Sequence, residues 1–275
     1  AAKKAGRATS EGLVGFELAA DGKSGVAVEV KCETDFVARG DKFQGFVKDM
    51  VAQVAKGEYA DSEALLAAPF VADASVTVKE ALDGVIATTG ENMGLGKFAK
   101  MELAAGKSGL IGGYLHSNGK LAVLVEMQTG SDAAAASEAF HEVAKNVAMQ
   151  IAAMSPKYWD KSQVPQADVD KELAVQVALM DNDPKMASKP AAVKEKIAAG
   201  KMAAFYKESC LLQQEFVRSD LYKGDVAGYI ADAAKKLGGK VTFVDAVHYV
   251  KGEGIEKKAD DFAAEVAAQI AGAQK

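Results

Sequence analysis

The stretches GLVGFEL (residues 12–18) and GLIGGYL (109–115) decide how this chain is read, because they look like two versions of one strand. Gly12, Leu13, Val14, Gly15 and Leu18 return as Gly109, Leu110, Ile111, Gly112 and Leu115. Downstream, VAVEVKCET (26–34) lies beside LAVLVEMQT (121–129), and FQGFVKDMVAQVA (43–55) beside FHEVAKNVAMQIA (140–152). Three matches in the same order indicate an internal repeat. Each copy reads as strand, turn, strand, loop, helix. The strands alternate, and the D-G of AADGKSG and the N-G of HSNGK are hairpin signals. Helical spacing places Phe43, Phe46, Val47, Met50, Val51 and Val54 on one face, and Phe140, Val143, Ala144, Val147 and Ile151 on another. KFAKMEL (97–103) and KVTFVDAVHYV (240–250) supply a third strand to each half.

Between helix and third strand the halves differ. The first carries a helix in VTVKEALDGVIATTG (76–90). The second carries ADVDKELAVQVALM (167–180) and AAVKEKIAAGKMAAFYKE (191–208), separated by a segment with two prolines. That pattern predicts a helical hairpin whose Leu173, Val175, Val177, Ile197, Met202 and Phe205 pack as an antiparallel coiled coil. The expected fold is α+β: two related units of three-stranded antiparallel sheet packed with helices, the inserted hairpin, and a C-terminal helix. The boundaries drawn are 1–106 for the first unit, 107–161 with 234–258 for the second, 162–233 for the hairpin and return segment, and 259–275 for the last helix.

Composition narrows the function. With 49% hydrophobic and 26% charged residues the chain is ordinary for a globular protein. A net charge of −5 predicts no direct binding of nucleic acid. No apolar run reaches the roughly 20 residues of a membrane span. The start, AAKKAGRATSEG, has neither a signal peptide's apolar middle nor a starting Met, so the chain reads as processed, truncated or partly represented there. Cys32 and Cys210 are expected as reduced, half-buried thiols.

Chemistry-bearing motifs fail one by one. His141-Glu142 begins an HExxH, but Lys145 stands where its second ligand belongs. GLGK (94–97) lacks the upstream Gly and following Ser or Thr of a phosphate loop, and reads as a loop before a strand. Ser10 and Ser108 have no evident His partner. No metal or cofactor is expected. The inventory is that of a binding protein without covalent chemistry, and a coiled-coil adaptor for an unknown partner is the alternative reading.

One segment does not fit a scaffold role. After Cys32 comes Glu33-Thr34-Asp35-Phe36-Val37, with a large ring where a turn is normally small and polar. Set beside Met127-Gln128-Thr129-Gly130-Ser131, the copies differ in that Asp35 and Phe36 become Gly130 and Ser131. A ring needed only for packing would be kept in both copies, so Phe36 is expected to project into a partner, with folding back onto its own helix as the alternative, and a change at Ser131 is expected to matter little.

EVKCETDFVAR (29–39) resembles the TDF signature of the elongation factor Ts family. AAKKAG, MAAFYKESCLLQQEFV (202–217) and GEGIEKKADDFAAEVAA (252–268) are similar to other segments of that family, whose small N-terminal helical domain would precede residue 1. The resemblance implies a guanine nucleotide exchange factor of translation elongation. Its partner would be elongation factor Tu, met at the GTPase domain by the TDF turn and at the third domain by the second unit. Thr34, Asp35, Phe36 and Val37 would bind the partner, together with Met149 and Gln150; Gln150 stands where some members carry a histidine facing the nucleotide site. The implied location is the bacterial cytoplasm or an organelle matrix or stroma, with further copies binding through the hairpin.

Overall fold

The computed structural model describes residues 4–253. The helix expected over 259–273 lies outside the described residues.

In the first copy, β1 (Glu11–Leu18) and β2 (Ser24–Cys32) form a hairpin. A single helical turn, α1 (Asp35–Ala38), leads into α2 (Asp41–Lys56). Then come α3 (Ser62–Ala67), the short pair β3 (Pro69–Phe70) and β4 (Asp73–Thr77), α4 (Val78–Thr89) and β5 (Met93–Glu102). The second copy runs β6 (Ser108–His116), β7 (Leu121–Thr129), α5 (Asp132–Ala135) and α6 (Glu138–Met154). It continues through α7 (Gln166–Asp181), α8 (Ala191–Ser209) and α9 (Val226–Leu237) to β8 (Val241–Val250). The sheets are ordered β1-β2-β5 and β6-β7-β8, with β3-β4 as a small antiparallel pair. The fold is α+β, as the sequence predicts.

By contact density the chain forms two compact units. Of the described residues, one holds 4–15, Val28–Lys97 and 249–253; the other holds Phe16–Ala27 and Phe98–His248. Residues 16–27 and 98–106 thus group with the second unit, which also contains the whole helical hairpin.

Both predicted helix faces are buried in full. Phe140, Val143, Ala144, Val147 and Ile151 of α6 pack in one cluster with Leu110, Val123, Val125 and Met127 of the sheet. The repeated glycines explain how helix and sheet come so close. A Cβ on Gly15 would stand 2.6 Å from Val51 Cγ2 of α2, and one on Gly112 2.8 Å from Ala144 Cβ of α6. Gly12 and Gly109 do the same between strands, where a Cβ would stand 2.1 Å from Val30 O and 2.2 Å from Met127 O. Not every glycine serves such an approach. Gly84, mid-way along α4, has nothing within 4 Å of its Cβ position. Gly84→Ala is expected to stabilise the chain by about 0.5–1 kcal/mol, read as a melting-temperature rise of roughly 1–3 °C.

These contacts correct the register of the repeat. Gly12 meets Val30 and Lys31 as Gly109 meets Met127 and Gln128. β2 therefore matches β7 from Ser24↔Leu121 to Cys32↔Thr129, two residues away from the pairing of VAVEVKCET with LAVLVEMQT. In this register the buried carboxylates Glu29 and Glu126 coincide, and each accepts a backbone N–H, from Lys97 (3.3 Å) and Ala104 (3.4 Å). GLGK is likewise not a loop but part of β5. Gly96 leaves room for Glu29, whose Oε2 would be 2.1 Å from a Cβ there.

The repeat also carries a polar device. Gln53 of α2 donates to Pro69 O (3.1 Å) and accepts from Val71 N (2.6 Å). Gln150 of α6 donates to Glu215 O (3.1 Å) and accepts from Val217 N (2.9 Å). Each amide takes the C=O of one residue and the N–H of the residue two further on, as a neighbouring strand would. Each thereby pins an irregular segment to its helix.

Three features depart from expectation. α3 and the β3–β4 pair, held by buried Leu65 and by Phe70 stacked on Phe46 at 6.1 Å, occupy a stretch for which the sequence pattern names no element. α9, capped by Asp225 and ended by Gly238, fills the return segment. In the hairpin, the seam buries Met180, Ala198 and Met202, while Val175 is 44% exposed, so Val175 points outward rather than into the coiled coil. Lys194 closes the hairpin's end by donating to Asp181 Oδ1 and Ala187 O. Among the described residues no helix is long and apolar enough to cross a membrane.

Candidate partner-binding site

The predicted loop at 33–37 is a one-turn helix with a formed cap. Thr34 is extended (φ −125°, ψ 154°), and its Oγ1 accepts from Val37 N at 3.3 Å. Ala38 is buried and anchors the inner side of the turn. Gly40 then breaks the chain before α2 begins at Asp41. On the outer side Phe36 is 84% exposed, the most open of the large apolar side chains among the described residues. Asp35 pairs with Arg39 at 2.8 Å, one turn on, and both are exposed. Val37 is half-buried.

A carboxylate far away in sequence holds the turn. Glu91 accepts from Glu33 N (3.1 Å) and Thr34 N (3.0 Å) on Oε2, and from Thr34 Oγ1 (2.6 Å) on Oε1. The exchange is mutual, because Glu33 Oε1 accepts from Asn92 N at 2.6 Å and faces Arg7 at 3.5 Å. Sequence reasoning passed over Glu91. The signal available was its place directly after Gly90, the left-handed C-cap of α4.

Beneath the turn Cys32 is fully buried, as is Cys210, rather than half-buried as expected. Burial first, then the negative charges of Glu91 and Glu11, push the Cys32 thiol up to about 12. Burial and Asp160 push Cys210 up to about 11. Both thiols stay protonated near neutrality and are poor nucleophiles.

The second copy repeats the turn without its ring. Ser131 Oγ accepts from Ala134 N at 3.2 Å and caps α5, as Thr34 caps α1. Cap against cap, Asp35 matches Asp132 and Phe36 matches Ala133. The pairing of Asp35 and Phe36 with Gly130 and Ser131 is corrected by those two residues. The aspartate is common to both copies, and the ring is what distinguishes the first.

The structure gathers Thr34, Asp35, Phe36 and Val37 on one turn. Met149 and Gln150 belong to α6, in the second unit. Met149 is half-buried. Gln150, expected among the partner-binding residues, is 0% exposed, with its amide bonded inside the chain to Gln214, Glu215 and Val217. Its geometry is that of an internal brace, and it presents no surface to a partner.

Comparison with known proteins places this arrangement. The sequence model described as Elongation factor TS matches residues 33–253. The chain is 43% identical over 271 residues to the elongation factor Ts of Nitratidesulfovibrio vulgaris (strain Hildenborough), covering 98% of this chain and 84% of that protein. It is 42% identical over 268 residues to the one from Trichlorobacter lovleyi, covering 98% and 83%. The protein of the same description from Clostridium novyi is 38% identical over 270 residues, covering 98% and 84%. With a family model spanning most of its length and relatives aligned along nearly all of it, the chain belongs to the elongation factor Ts family.

Proposed function

We propose that this chain promotes release of GDP from elongation factor Tu by inserting Phe36 into a cleft of the GTPase domain near the magnesium and phosphate site. The observation that carries the reading is an exposed ring on a turn whose backbone is pinned from behind. A free chain bears the cost of holding that apolar surface in water, and a partner pocket recovers roughly 2–3 kcal/mol by covering it. Thr34 and Val37 would frame the ring, and Asp35 would bond polar groups at the rim, where its charge disfavours nearby phosphate.

Exchange then follows from linkage without a covalent step. If binding of the factor lowers nucleotide affinity, nucleotide lowers affinity for the factor by the same ratio, so incoming GTP ejects it. The second unit would grip the third domain of Tu, which offsets the entropy of association that a single ring must otherwise meet. The setting would be the bacterial cytoplasm, or an organelle matrix or stroma.

A second reading draws on the hairpin, where Leu179 (58%), Val175 (44%) and Val193 (40%) are exposed. As an adaptor, or as a contact for a further copy, the chain would depend on those residues and tolerate loss of Phe36. Stopped-flow release of a fluorescent GDP analogue from Tu separates the two. The exchange reading expects acceleration by this chain and dissociation of the complex by excess GDP; no acceleration would leave the adaptor reading in place.

A further inference from the structure

The geometry points to Glu91 as the positioning residue of the exchange turn: its carboxylate fixes the direction in which Phe36 leaves the chain. This inference rests on the exchange reading and adds to it a residue outside the TDF segment.

Three donors on two consecutive residues converge on one side chain, namely Glu33 N, Thr34 N and Thr34 Oγ1. The Thr34 hydroxyl is thereby oriented. Its proton goes to Glu91, which leaves its oxygen free to accept from Val37 N and close the turn carrying Phe36. Glu91 is set in place by Gly90, whose left-handed backbone (φ +81°) ends α4 and turns the chain into β5.

The internal repeat separates this role from a need of folding. α4 and α9 are both twelve residues long, both end at a left-handed glycine, Gly90 and Gly238, and both lead into a third strand that starts three residues later. Glu91 therefore corresponds to Gly239. The second copy has lost the ring (Ala133) and the carboxylate (Gly239) together, yet its strand, capped turn and helix form normally. Among the described residues no carboxylate bonds to the backbone N–H of Gly130 or Ser131. The carboxylate goes with the ring and not with the scaffold.

The test uses the whole chain in four forms, wild type, Glu91→Ala, Phe36→Ala and the double variant, with Glu91→Gln as the conservative control. Two quantities are read: GDP release from Tu at saturating factor, and amide hydrogen exchange in the free chain. Glu91→Ala is expected to reduce release about 10-fold when Phe36 is present and less than 2-fold when it is absent. Glu91→Gln is expected to keep most of the activity, because its Oε1 accepts the two N–H groups while its NH2 donates to Thr34 Oγ1. The amides of Glu33, Thr34 and Val37 should exchange at least about 10-fold faster in Glu91→Ala, with that of Ala134 in the second copy unchanged. Equal losses in both Phe36 backgrounds, or unaltered exchange at those three amides, would overturn the proposal. If Phe36→Ala alone leaves release unchanged, the exchange reading falls and takes with it the role of Glu91 in exchange. The amide measurement then decides by itself whether Glu91 sets the turn.

Discussion

Phe36→Ala is expected to slow factor-promoted GDP release from elongation factor Tu about 30-fold while the free chain keeps its melting temperature. The size follows from losing about 2 kcal/mol of burial at a central aromatic contact. The unchanged stability follows from the ring's position, because a side chain 84% exposed has almost no intramolecular packing to lose. The cap between Thr34 and Val37 and the anchor at Ala38 do not involve the ring, so the turn survives its removal. The matched control is the counterpart in the second copy, where Ala133→Ser should leave release within about 2-fold of wild type, as surface substitutions away from special features usually do. Stopped-flow release, with a thermal melt of each variant, checks both halves. Release as fast with Phe36→Ala as with wild type would remove the wedge from the mechanism.

What the sequence could and could not reveal follows from the physics of each element. Long amphipathic helices announce themselves, and every apolar residue assigned to the inner faces of α2 and α6 is buried. Phe36 was legible for the opposite reason, as a large ring in a polar turn. The register of the repeat was not legible from hydrophobicity. Alternation has a period of two, so shifting VAVEV against LAVLV by two residues preserves the apolar pattern. The close approach of Gly12 to Val30 and of Gly109 to Met127 fixes it, and the matched caps Thr34 and Ser131 agree. The β3–β4 pair is too short for a period to show. α9 did carry a pattern in Val226, Tyr229, Ile230 and Ala233, framed by Asp225 and Gly238, and it was legible in principle. Gln150 shows the limit on the site itself. A polar residue on a helix reads equally well as a contact or as an internal brace until its partners are seen, and its partners lie more than 60 residues away. Glu91 was hidden in the same way, since it meets Thr34 across 57 residues of chain.

The heaviest structural loss is expected at Gly12. Two independent requirements meet there: a backbone φ of +141°, which side chains rarely adopt, and a neighbouring strand so close that a Cβ would stand 2.1 Å from Val30 O and 2.9 Å from Lys31 Cα. Backbone strain and forced separation of packed groups each cost about 1–3 kcal/mol, so Gly12→Val should destabilise by roughly 3 kcal/mol or more. For a chain of this size that is a fall of roughly 10 °C in melting temperature. The obstructing atoms are backbone and cannot rotate away, unlike the end of a flexible side chain. The consequence reaches function because Lys31 lies one residue before Cys32, where β2 ends and the turn carrying Phe36 begins. Pushing β2 away from β1 displaces the base of that turn, so exchange activity should fall even below the melting transition. Gly84→Ala is the companion measurement, because its Cβ meets nothing and its sign is opposite. A Gly12→Val chain that melts within about 2 °C of wild type would mean that the strand contact is looser than drawn. The glycine shared by the two copies would then need another explanation.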